Sequence, residues 1–254
     1  MSSIFSAVRA PRARLPVFVV LLFGLLLAGC SRENYTELMN AAKDGNAEAV
    51  KQILDRGADV NVATSKGKRA LMLAASEGHA DVARLLVARG AEVDAADEYG
   101  TTALIVAATA GHTEVAALLL EHGADPTARD SSGGSPLVNA TFFGHTETVK
   151  LLLSKLSALE KQDGEELLLL AAGLGHAGIV GALIDHGINV NGHGLKQRTA
   201  LMAAAAFNQV AVARVLLARG ADTAITDEDG NTALAVARKK GNDEVVALLA
   251  SAKR

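Results

Sequence analysis

The sequence predicts an all-α solenoid of about seven stacked helix-turn-helix repeats, and three observations lead there. Gly67, Gly100 and Gly133 are spaced 33 residues apart, as are Gly78-His79, Gly111-His112 and Gly144-His145. With small adjustments the register runs on through Gly175-His176, Asn208-Gln209 and Gly241-Asn242, and back to Gly45-Asn46. Within the clearest copy, 100–132, Leu104, Ala107 and Ala108 and then Val115, Leu118 and Leu119 have the i, i+3, i+4 spacing of an apolar helical face. A fixed period of this length marks stacked supersecondary units, because a lone pair of short helices cannot bury its own apolar side.

Ahead of the repeats lies a segment of another kind. Arg9, Arg12 and Arg14 precede an apolar run from Val17 to Leu27, followed by Ala28, Gly29 and Cys30. A basic stretch, a short apolar core and small residues form the pattern of a secretory signal. The run falls well short of the roughly 20 residues that a membrane-spanning helix needs. Leu27-Ala28-Gly29-Cys30 resembles the lipobox of bacterial lipoproteins, which implies removal of residues 1–29 and acylation of Cys30. The other reading is ordinary cleavage that leaves a free thiol, a liability in an oxidising compartment. Acyl chains contribute about 0.8 kcal/mol per buried methylene, so two or three of them anchor firmly. Ser31 at the next position points, by the same resemblance, to the outer membrane.

Loss of the signal removes three of 25 basic residues and none of the 28 acidic ones, leaving a formal charge of −6. An acidic chain is poorly suited to phosphate-backbone contacts, so no nucleic-acid partner is expected. Cys30 is the single cysteine, which excludes an internal disulfide framework. Half the residues are hydrophobic and only 3% aromatic, so the core must be aliphatic and rich in alanine.

A tether of residues 30–33 leads into repeats near 34–66, 67–99, 100–132, 133–163, 164–196, 197–229 and 230–254. Only a few residues separate Cys30 from the first helix near Thr36, a reach of at most about 20 Å. Each repeat reads as helix, turn, helix, loop. Gly111 and Gly123 stand where helices must stop, since glycine adopts the left-handed C′ conformation cheaply. At helix spacings of about 8 to 10 Å the stack should be about 60 to 70 Å long. Its ends should be altered to face water. Gln52 takes the position of Leu85, Leu118 and Leu151, and Arg238 that of Ala75 and Ala108. In the fourth copy the stretch from Leu151 to Gly164 is two residues short and lacks the Gly-Ala-Asp stop, which suggests a local change of curvature. The sixth copy has Gln197 at the loop glycine.

Gly133-Gly134-Ser135-Pro136-Leu137, Ala74-Ala75-Ser76-Glu77-Gly78-His79 and the recurring Leu-Leu-x-x-Gly-Ala-Asp closely resemble the ankyrin repeat. The resemblance covers about 34–252. It implies a solenoid that recognises other proteins through its loop tips and through the two variable positions before Gly-His.

No catalytic or metal-binding constellation emerges, and no cofactor is expected. His79, His112, His145 and His176 hold one repeat position, about 10 Å apart if stacking is ordinary, too far for shared ligation near 2 Å. A structural hydrogen-bonding role is expected instead. His122 and His186 fall near the ends of second helices, where positive charge suits the dipole. His193 is a lone loop histidine. No Gly-x-Ser-x-Gly, phosphate loop or His-Glu-x-x-His follows the signal. Asp97 and Asp130 are explained by turn hydrogen bonds. An enzyme is therefore not expected.

The variable positions are Lys43-Asp44, Ser76-Glu77, Thr109-Ala110, Phe142-Phe143, Gly173-Leu174, Ala206-Phe207 and Lys239-Lys240. All three phenylalanines that follow the signal fall in this set, with Leu174 between them. They predict an apolar patch across repeats four to six, since contiguous exposed apolar side chains mark interaction sites. The competing reading folds one or two rings into gaps beside Gly173 and Ala206. At the tips, Lys66, Lys68, Arg69, Asp97, Glu98, Tyr99, Asp163, Glu165, Glu166, Lys196, Arg198, Asp227, Glu228 and Asp229 alternate in sign. Such mixing fits a specific protein partner or a rim that keeps the stack soluble. Lys68, Arg69, Glu98 and Tyr99 join the patch as candidate contacts. The expected function is that of a monomeric, membrane-anchored module that binds and recruits or assists a periplasmic or envelope protein; the alternative is an inhibitor or immunity protein blocking a toxic enzyme.

Overall fold

A computed structural model describes residues 36–156 and 161–252, which belong to a compact unit, Glu33–Arg254. The expected signal at 1–29, Cys30 and the tether 30–33 lie outside the described residues. The described residues form fourteen α-helices and no strand beyond isolated bridges.

The helices come in seven pairs. They are α1 (Glu37–Lys43) with α2 (Ala47–Asp55), α3 (Ala70–Glu77) with α4 (Ala80–Ala88), and α5 (Ala103–Ala110) with α6 (Thr113–Glu121). Next come α7 (Pro136–Phe142) with α8 (Thr146–Lys155), and α9 (Lys161–Leu174) with α10 (Ala177–Asp185). Last are α11 (Ala200–Ala206) with α12 (Val210–Ala218), and α13 (Ala233–Lys240) with α14 (Asp243–Ala252). Each first helix packs on the first helix of the next repeat, and each second helix on the next second helix.

Capping explains where the first helices start. The hydroxyls of Thr36, Thr102, Ser135, Thr199 and Thr232 each accept from the backbone N–H three residues on, at 3.3 Å. A cap of this kind contributes about 1 kcal/mol. In the second repeat Arg69 occupies the position and supplies no side-chain cap.

The core is one continuous cluster. Ala74-Ala75, Ala107-Ala108, Ala171-Ala172 and Ala204-Ala205 are buried along the first helices. Leu86, Leu119, Leu152, Leu183, Leu216 and Leu249 form a file along the second. Each such leucine contributes roughly 1.5–3 kcal/mol by leaving water, and the small alanines let the backbones approach. Gln52 and Arg238 are exposed, so the two terminal repeats present polar side chains where the inner ones carry buried or half-buried apolar ones.

Adjacent hairpin tips are joined by main-chain bonds, from Glu98 N–H to Lys66 O at 2.9 Å, Ser131 N–H to Tyr99 O at 2.7 Å and Glu228 N–H to Lys196 O at 3.1 Å. Aspartates stiffen the tips that follow Asp97, Asp130 and Asp227 from within. One Asp97 oxygen accepts from the N–H groups of Tyr99 and Thr101 at 2.9 Å, and Asp130 serves Ser132 and Gly134 in the same way. Asp227 accepts from the N–H of Asn231 at 2.8 Å and of Asp229 at 3.1 Å. The backbone N–H of Asn231 holds the Asp227 carboxyl below its ordinary 3.8, with desolvation opposing. A depressed carboxylate stabilises the fold above the unfolded-state value, and that contribution fades as pH falls through the folded-state value. We expect Asp227→Ala to lower the urea midpoint at pH 7, and the gap to wild type to shrink steadily below pH 3.8. A gap independent of pH would remove the carboxylate from this role.

The junction between the fourth and fifth repeats departs from the rest. Gly164, Glu165 and Glu166, loop and tip by the repeat register, lie inside the 14-residue α9. No left-handed glycine precedes them, and Glu-Glu followed by four leucines is a run of strong helix formers, so the helix absorbs the hairpin. Glu165 is buried against Gly192, while Asp163 pairs with Arg129 at 3.3 Å. Among the described residues no main-chain bond joins the tip at Ser131 to the tip at Lys196. The tip of the next junction is reshaped too. Lys196 and Gln197 both take positive φ, at 59° and 55°, where other tips use one glycine.

Candidate protein-binding surface

The register of the surface is set by a second ladder, at the far ends of the first helices. His79 Nε2 bonds the Lys43 carbonyl at 3.0 Å, His112 that of Ser76 at 3.0 Å, His145 that of Thr109 at 2.9 Å and His176 that of Phe142 at 3.2 Å. Gln209 Nε2 donates to Gly173 O at 3.1 Å, and Asn242 Nδ2 to Ala206 O at 3.2 Å. Each of these side chains satisfies a carbonyl that its helix end would otherwise leave open. The histidines thus connect repeats. Among the described residues no group of three or more His, Cys, Asp or Glu is gathered as for a metal.

That ladder requires a glycine at the turn of the preceding repeat, beneath each histidine ring. Gly45, Gly78, Gly111 and Gly144 have φ between 71° and 81°, and the ring of the next repeat's histidine lies over each of them. Asn208 takes the same turn at φ 55°, as asparagine can. His122 sits one residue past α6 and bonds the Leu118 carbonyl at 2.8 Å. His186 likewise caps α10, and His193 forms a bridge with Thr199 across a tip.

The same ladder aligns the variable positions. Phe143, Leu174 and Phe207, at equivalent helix ends in successive repeats, are 45%, 38% and 66% exposed. Phe142 is half-buried, with its ring edge-on to Phe143 at 5.0 Å between centroids. Phe143 also stacks on His145 at 6.3 Å. Phe207 lies over Gly173, where an added Cβ would come within 3.5 Å of its ring. The small neighbour seats this ring without hiding it, so both readings of the phenylalanines hold in part. On one side the strip is flanked by Thr109-Ala110, and on the other by Arg238, Lys239 and Lys240, all three exposed.

Lys68, Arg69, Glu98 and Tyr99 occupy a different place. They sit at the entry to α3 and α5, whereas the phenylalanines sit at the exits of α7 and α11, so the candidates divide into two groups. Arg69 is drawn inward, bonding the carbonyls of Gly67 at 3.2 Å and Ala96 at 3.4 Å and reaching Glu92 at 3.8 Å. Glu98 pairs with Lys66 at 3.5 Å. Lys68 is half-buried beside Thr64, whose hydroxyl accepts its N–H at 3.1 Å. Tyr99 alone of the four presents a large exposed apolar surface, 49% accessible. One exposed apolar residue escapes sequence reasoning, Leu195, at 60%. The signal that could find it is an apolar side chain at a tip whose counterparts are polar.

A stack of paired helices that aligns exposed apolar and charged side chains in register is a protein–protein interaction module. The chain belongs to the ankyrin repeat family: the sequence profile for ankyrin repeats (3 copies) matches residues 38–130, 137–227 and 192–254. The crystal structure of the human ASB11 ankyrin repeat domain superposes with a TM-score of 0.74 at 27% identity, covering 85% of this chain and 98% of that one. The ankyrin repeat domain of Bcl-3, described as a unique member of the IkappaB family, gives 0.68 at 28% identity, covering 85% and 99%. The E3 ubiquitin-protein ligase hecd-1 of Caenorhabditis elegans is 39% identical over 82 residues, which are 32% of this chain. The match spans only 3% of that ligase's length. The ankyrin repeat fold is typically a non-catalytic binding scaffold.

Proposed function

We propose that the chain is a lipid-anchored envelope protein of a bacterium that binds a periplasmic partner through Phe142, Phe143, Leu174 and Phe207 and recruits or assists it. The observation that carries this reading is the alignment of Phe143, Leu174 and Phe207 on three successive helix ends, each more than a third exposed. Exposed aromatic side chains grouped in this way are the usual anchors of an interface. The lipobox-like Leu27-Ala28-Gly29-Cys30 supports the anchor, and the acidic balance past it disfavours nucleic acid.

The binding half is tested by capturing periplasmic proteins on the fragment from Ser31 to Arg254, beside the same fragment with Phe142, Phe143 and Phe207 changed to Ala. We expect one protein retained by the first and lost by the second, with both equally folded by circular dichroism. Equal retention would exclude the patch and point to the tips around Tyr99. Should a captured enzyme lose all activity at equimolar ratio, the chain is an inhibitor. The anchor is tested separately: cells fed labelled palmitate should label the full chain and leave Cys30→Ser unlabelled. An unlabelled wild-type chain would refute the anchor.

A further inference from the structure

We propose that the helix-end strip has a chemical direction, and that its occupant is a protein segment of bulky apolar side chains followed by clustered carboxylates. This rests on the reading of the strip as the binding surface. Three observations carry it. The ladder ties the turn after Leu174 to the Phe142 carbonyl through His176, Phe207 lies over Gly173, and Asn242 ties the turn after Lys240 to the end of α11, so the apolar strip runs directly into the end of α13. That end carries Arg238, Lys239 and Lys240 in one turn, all exposed, and none makes an ion pair among the described residues. Asp243 and Glu244 open the following helix without pairing to them.

The opposite end differs in sign. Past Thr109-Ala110 the equivalent positions are Ser76-Glu77 and Lys43-Asp44, where both carboxylates are exposed. An acidic terminus on the occupant would be repelled from Glu77 and drawn to Lys239 and Lys240, which fixes the orientation in which it lies. Three register steps of roughly 10 Å span about 30 Å. An extended stretch of about nine residues covers that distance.

The basic turn also complements the C-terminal dipole of α13, which by itself would make it a capping feature. Binding distinguishes the two roles. Random peptides of about twenty residues displayed on phage are panned on the purified full-length chain, on Lys239→Glu/Lys240→Glu, and on Phe143→Ala/Phe207→Ala. We expect wild type to enrich peptides in which apolar residues precede acidic ones. The best of them should bind the charge-reversed variant at least about ten-fold more weakly, with an affinity that falls as salt rises.

Retention of the same peptides by the charge-reversed variant would overturn the direction while leaving the strip as the binding surface. Retention by the phenylalanine variant would overturn both, as would the absence of any enrichment. Two other occupants would show themselves in the same preparation and displace the peptide. Binding to phosphatidylglycerol vesicles that needs Lys239 and Lys240 would assign the strip to a membrane surface. Self-association in sedimentation, lost with Phe143 and Phe207, would assign it to a second copy of the chain.

Discussion

Gly111→Ala is expected to destabilise the protein by roughly 3 kcal/mol, and Gly123→Ala by only about 1–2 kcal/mol, although both glycines end a helix in the left-handed region. Their φ values are 76° and 86°, so an alanine costs about 1–2 kcal/mol at either site for conformation alone. The surroundings differ. Nothing lies within 4 Å of a Cβ built at Gly123, whereas one at Gly111 would sit 2.7 Å from His145 Cε1. The ring would have to move and give up its 2.9 Å bond to Thr109, exposing a helix-end carbonyl without its partner. Urea unfolding of both variants measures the difference directly. Equal losses would mean that the histidine ladder contributes nothing beyond the turn itself.

The second large effect is expected at Leu119. Fully buried in α6, it lies between the files of α4 and α8, and truncation to Ala should cost 2–5 kcal/mol, about the range for a core leucine. Leu120, its neighbour on the same helix, is half-buried, and the same change there should cost clearly less. In a stack each repeat is held chiefly by its neighbours, so weakening a middle one also weakens coupling along the array. We expect the unfolding of Leu119→Ala to broaden or split into two transitions, followed by circular dichroism. A sharp single transition at the wild-type midpoint would show that the site is less closely packed than its burial indicates.

Much of the candidate site is legible in the amino-acid sequence. The repeat register, two residues short in the fourth copy, places Phe143, Leu174 and Phe207 at equivalent positions, because a repeat assigns every residue a place by counting from its turn glycines. The same arithmetic identifies the histidine position and keeps four histidines, one repeat apart, from sharing a metal. It works less well where the repeat is imperfect. Gly164 aligns with the loop glycines, yet α9 runs straight through it, because an intact helical run outweighs one glycine when no left-handed stop precedes it. Arg69 has the register of a tip residue available to a partner, and the carbonyls of Gly67 and Ala96 claim it.

What the sequence determined by itself was the architecture: the number of repeats, the helices within them, the alanine-rich core and the rows along which surface residues align. These follow from local periodicity and glycine placement, which act within about thirty residues of chain. What only the tertiary structure decided was which residues on those rows remain available. Gly111 tolerates an alanine less well than Gly123 because of the His145 ring from the next repeat, Phe207 lies over Gly173 and stays exposed, and Lys239 and Lys240 border that strip because Asn242 reaches back to Ala206. Each depends on contact between neighbouring repeats, and a repeat pattern states that neighbours will touch without stating which side chains the contact will consume.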